Sequence, residues 1–93
     1  MHAGSDETQR VLKILNNLNQ IIEKNPQDAF AWMEKGKAHR QIGQFDESIN
    51  SLEKARDIMA DSSIYAELGE TFRRIGDLTE ALSKLEKNAR ESC

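Results

Sequence analysis

Apolar residues fall along this chain at steps of three and four, and the pattern is interrupted at a few short stretches. Val11, Ile14 or Leu15, Leu18, Ile21 and Ile22 trace one stripe and predict a helix over about residues 6–24. Phe30, Trp32, Met33, Ala38 and Ile42 form the next stripe, up to Gly43-Gln44-Phe45-Asp46. Ile49, Leu52, Ala55 and Met59 then resume the period. Tyr65, Leu68, Phe72 and Ile75 lead to a second break at Gly76-Asp77-Leu78-Thr79, and Ala81, Leu82 and Leu85 continue beyond it. The pattern predicts about five amphipathic helices and no strands, an all-α chain.

The last four helices repeat. Gly36 and Gly43 recur as Gly69 and Gly76, and Trp32, Phe45 and Leu52 recur as Tyr65, Leu78 and Leu85, all at an offset of 33 residues. A fixed period of this size indicates stacked supersecondary units, which offer extended surfaces to partners. Gly43 and Gly76 stand where a helix ends in a left-handed residue, a conformation that glycine reaches most cheaply. Asp46 and Thr79 are the expected N-caps of the helices that follow, with Asp77 competing for the second. Gly36 and Gly69 instead lie inside helices, where glycine costs about 1 kcal/mol relative to alanine. Their shared place in the period predicts close helix–helix approach at both, so a bulky replacement should cost roughly 1–3 kcal/mol.

These residues resemble the tetratricopeptide repeat, a helix–turn–helix unit of about 34 residues. Trp32, Gly36, Gly43, Phe45 and Ala55 carry the resemblance in the first copy, and Tyr65, Leu68, Gly69, Phe72, Gly76 and Ala81 in the second. Departures are Lys35 for leucine, His39 for tyrosine, Ser48 and Asn88 for alanine, and Ala60-Asp61 where a proline is usual. The resemblance implies a right-handed stack of antiparallel helix hairpins, an α-solenoid. Its expected divisions are a disordered tail or cloning remnant over residues 1–5, an N-terminal packing helix over 6–25, and repeats over 29–61 and 62–93. The first helix resembles the second half of a preceding repeat. In Asn25-Pro26-Gln27-Asp28-Ala29, Pro26 is expected to end it and Asp28 to cap the next. A free membrane-surface helix is the alternative, but its polar face is Asn/Gln-rich rather than basic.

Composition narrows the function further. A net charge of −3 over 93 residues argues against nucleic acid as the main partner, because phosphate binding usually shows as a basic excess. There is no apolar run long enough to span a membrane and no secretory signal in Met1-His2-Ala3-Gly4-Ser5-Asp6. The single cysteine, Cys93, permits no internal disulfide, which favours a cytoplasmic location. His39 takes an aromatic position and is expected to be packed rather than a metal ligand, since no convergent ligand spacing exists. No enzyme, cofactor or metal is expected.

In the resembled family the first helices of successive repeats line a concave groove that holds a peptide or helix. Carried over, the groove positions are Phe30, Met33, Lys37, Arg40 and Gln41, then Ser63, Ala66, Glu70, Arg73 and Arg74. Phe30 and Met33 would be apolar anchors, and Lys37, Arg40, Arg73 and Arg74 anion contacts for an acidic or C-terminal segment. A solvated charged face, partly neutralised by Glu70, is the competing reading. The family's clamp for chaperone tails is missing, because Met33, Lys37 and Glu67 occupy its aligned places. The last helix, with Leu78, Ala81, Leu82, Leu85 and Ala89, has no following helix to cover it. It therefore belongs to a longer array, pairs with a partner or second copy as in a homodimer, or is capped by Lys84, Glu86, Lys87 and Arg90. The expected function is a protein–protein interaction scaffold, with structural self-assembly as the alternative.

Overall fold

The computed structural model describes residues 3–91, with side chains described over residues 6–84; Cys93 and the side chains of Leu85, Asn88 and Ala89 lie outside that range. Four helices follow one another: α1 (Ala3–Lys24), α2 (Ala29–Gln41), α3 (Phe45–Ile58) and α4 (Ser62–Glu91). No strand occurs among the described residues. The helix α1 begins at Ala3, within the stretch read as a tail, and Asp6 in its first turn complements the helix dipole.

Each early boundary has a local cause. The Asp28 carboxylate accepts a hydrogen bond from the Ala31 N–H at 3.0 Å and caps α2 as expected. The Trp32 indole N–H donates to the Pro26 carbonyl at 2.9 Å, which ties α2 to the turn before it. At its far end α2 closes on Gly43, whose φ is +80°. There the Gly43 N–H donates to the Arg40 carbonyl and the Gln44 N–H to the His39 carbonyl, the bond pair that terminates a helix on a left-handed residue. Asp46 does not cap α3. Gln44 holds that position, and Asp46 and Glu47 sit in the first turn, where their charge suits the dipole.

α2 is the centre of the stack. Ala29, Met33, Leu52, Ala55, Ile64 and Leu68 bury one another where α2, α3 and α4 meet, with Trp32, Ile58 and Met59 at the margin. Val11 and Leu15 of α1 pack on Ala38, with Ile42 beside them. The close approach expected at Gly36 is present: a Cβ there would lie 2.6 Å from Leu52 Cγ and 3.0 Å from the Ser48 carbonyl oxygen. Leu52 fills this notch and is fully buried, which stabilises the hairpin by about 2 kcal/mol.

The second hairpin does not form. α4 runs without a break from Ser62 through Gly76 to Glu91, so the described residues form four helices where the pattern predicts five. Gly43 is the positive-φ glycine; Gly76 is helical. Thr79, expected as an N-cap, donates its hydroxyl to the Ile75 carbonyl at 3.0 Å in mid-helix, and Asp77 pairs with Arg73. The physical reason is that no described helix packs on the Gly69 notch to hold the chain turned back. Extending a formed helix gains one backbone bond per residue, one glycine subtracts only about 1 kcal/mol, and no proline stands at the break. A Cβ added at Gly69 would meet nothing within 4 Å, so the close approach expected there is absent. The 30 residues of α4 span about 45 Å. The radius of gyration, 16.2 Å, exceeds the roughly 12 Å of a compact chain this long because the far half of α4 projects beyond the stack.

Candidate partner-binding surface

The outward stripe of α2 carries Phe30, Glu34, Lys37 and Gln41, and the neighbouring stripe of α4 carries Ser63, Ala66, Glu70, Arg73 and Arg74. Phe30 is 55% exposed although it lies directly beside buried Ala29 and Ala31. Beneath it the backbone is fixed by the Asp28 cap and by Trp32, whose ring has the Lys35 and Lys54 ammonium groups over it at 5.0 and 5.9 Å.

Two of the expected groove residues are placed elsewhere. Met33 is buried in the main core, where the Ser63 hydroxyl lies 3.8 Å from its sulfur. The Arg40 side chain is only 9% exposed and turns in between the helices. Its guanidinium donates to the Glu67 carboxylate at 2.7 Å, to the Glu67 carbonyl at 3.0 Å and to Thr71 Oγ1 at 3.2 Å. Thr71 in turn donates to the Glu67 carbonyl at 2.9 Å, and its oxygen lies 3.3 Å from the Ser48 hydroxyl. With the Thr71 hydrogen already committed, Ser48 is the donor in that last bond. Arg40, Ser48, Glu67 and Thr71 thus form a polar tie joining α2, α3 and α4, with no unsatisfied buried side-chain atom among the described residues. Spacing along the chain did not reveal this tie. The one hint was Ser48 and Thr71, polar residues on otherwise apolar stripes.

The charges that do face outward are paired among themselves. Lys37 lies 3.3 Å from Glu34. Glu70 accepts from Arg73 at 2.6 Å and from Arg74 at 2.9 Å, and Arg73 also reaches Asp77 at 3.2 Å. Hydrogen bonds from Arg73 and then Arg74 hold the Glu70 carboxyl down at a pKa of about 2, and Glu70 raises the Arg73 pKa in return. The exposed charges are therefore paired along each helix, Lys37 with Glu34 on α2 and Arg73 and Arg74 with Glu70 on α4, and do not form a uniformly basic groove. Gln41, on the outward stripe of α2, also lines an open hollow of about 480 Å³ between α1 and α2, with Asp6, Glu7, Arg10, Val11 and Ile14. His39 is half-buried, its Nδ1 2.6 Å from the Gln44 side-chain oxygen.

No group of side chains among the described residues is arranged to hold a metal ion, and no described helix is long and apolar enough to cross a membrane. The family model of the tetratricopeptide repeat matches residues 31–58, within the span of α2 and α3. Over that span the chain is similar to a tetratricopeptide repeat. The match coincides with the closed hairpin, and the tetratricopeptide repeat is in general a protein–protein interaction module rather than an enzyme. No curated protein and no solved structure shows a significant match to the chain.

Proposed function

We propose that the chain is an interaction module that seats a partner peptide or helix across the outward faces of α2 and α4. The observation that carries this reading is Phe30, a large aromatic left half in solvent on a backbone locked by the Asp28 cap and the Trp32 contacts. A rigid, exposed aromatic beside a polar rim is the usual make-up of a binding hot spot. Lys37, Gln41, Arg73 and Arg74 supply the rim, and Met33 and Arg40 support it from below rather than touching the partner. Because Glu70 already occupies both arginines, the preferred segment offers an apolar side chain to Phe30 and a carboxylate that shares Arg73 or Arg74.

The test is affinity capture with the native chain and a Phe30→Ala/Arg73→Glu/Arg74→Glu variant, after circular dichroism has shown equal helicity. Proteins held by the native chain and lost by the variant support the reading. Equal capture by both moves the site off this face. Structural self-assembly is a second reading, favoured by Tyr65, Phe72, Leu78 and Leu82, each at least half exposed on α4.

A further inference from the structure

The first repeat shows what a helix with this spacing is built to receive. There α3 lies along α2, and Leu52 enters the notch at Gly36 so closely that a Cβ would lie 2.6 Å from it. One period on, the receiving face is present and empty. Tyr65 and Phe72 are 51% and 53% exposed, and Gly69 between them has nothing within 4 Å of its would-be Cβ. The docking arm is present too, since Leu78 and Leu82 are 51% and 65% exposed and every described residue from Gly76 to Lys84 is exposed. Face and arm belong to one continuous helix, however. Leu78 and Leu82 stand about 13 and 20 Å along the axis from Gly69, so in this conformation they cannot turn back onto it.

We propose that a second copy of this chain completes the hairpin: the arm beginning at Leu78 of each copy docks on the Tyr65–Gly69–Phe72 face of the other. The inference rests on the self-assembly reading and is independent of the Phe30 face. Each copy offers one vacant face and one unpartnered arm, so the exchange closes on itself as a two-fold dimer and leaves neither exposed. At 3.6 residues per turn, Leu78 and Leu82 lie about 130° around the helix from the Tyr65–Gly69–Phe72 stripe. Two straight antiparallel copies therefore cannot bury both regions, and docking requires α4 to bend where the stripes change over. Gly76 occupies that point, one period after Gly43 with its φ of +80°. The glycine is the hinge of the exchange.

Sedimentation of the full chain across a concentration series tests this, with a reversible dimer expected. Gly69→Leu places a side chain in the vacant notch, where an added Cβ meets nothing within 4 Å in the monomer, and is expected to weaken association at least tenfold while helicity is retained. Phe72→Glu and Leu82→Lys should each be monomeric alone. Mixed in equal amounts they should form a heterodimer, because one junction is then native and the other places opposite charges together. A native chain that stays monomeric at every concentration overturns both the exchange and the self-assembly reading. A dimer indifferent to Gly69→Leu, Phe72→Glu and Leu82→Lys overturns the exchange alone, with assembly then lying on another surface. Folded single variants that fail to associate on mixing also overturn it.

Discussion

Two stretches of this chain share a plan and have different structures. Residues 29–58 turn back at Gly43 and bury Leu52 against Gly36, whereas residues 62–91 follow the same spacing and stay one helix. Both have glycine at the notch, glycine at the break and apolar residues at matching positions. In the first, Gly43 is left-handed and its bonds to Arg40 and His39 end α2. In the second, Arg73, Asp77 and Thr79 make contacts that run along the helix instead. A repeat's own signals thus permit a turn without compelling it, and the packing on the far side of the notch decides.

Substitutions at matched positions test that difference. The largest effects belong to the closed repeat. Leu52→Ala should cost about 3 kcal/mol in urea unfolding, because it empties a fully buried site. Leu82→Ala, on the exposed arm, should lie within about 0.5 kcal/mol of neutral at concentrations where the chain is monomeric. Arg40→Ala should cost about 3 kcal/mol, since it leaves Glu67 in a partly buried tie without its cation. If that loss is below about 0.5 kcal/mol, the pair acts as a surface ion pair and Arg40 is free to meet a partner.

The glycines come next, and their sign is the test. Gly36→Ala forces Leu52 or the α3 backbone to shift and should lower stability by roughly 1–2 kcal/mol. Gly69→Ala meets open space and should raise it by about 1 kcal/mol. Equal losses at both would mean that the second hairpin closes in solution. The smallest effect is the titration of Glu70. Its folded pKa of about 2 lies below the ordinary 4.5, so its contribution is fully present above about pH 4.5 and disappears as pH falls towards 2. Carboxyl chemical shifts followed by NMR should show that midpoint, and Arg73→Ala should move it upward.

Much of this could be read from residue order. Helix positions, the Asp28 cap, the Gly43 turn and the Gly36 approach all follow from contacts within a few residues or one hairpin. The Gly76 turn could not be read this way, because a glycine followed by aspartate suits either a helix end or a helix interior once nothing packs on Gly69. The surface was legible only in part. Lys37, Arg40 and Gln41 share a face by spacing, but Arg40 pairs with Glu67, 27 residues away, and no local pattern announces that contact. Met33 misled for a related reason: its period places it at the border between groove and core, and the seating of α4 decides which side it takes.

Trp32 also determines how unfolding of this protein will be seen. It is the single tryptophan, hydrogen-bonded to Pro26 and packed against the first repeat's core, and nothing like it reports on the far half of α4. Its emission will follow the closed hairpin alone, while helical ellipticity counts the projecting arm as well. If the arm frays first, ellipticity will begin to fall while fluorescence is still flat. The gap between the two curves will then measure how independently the arm melts.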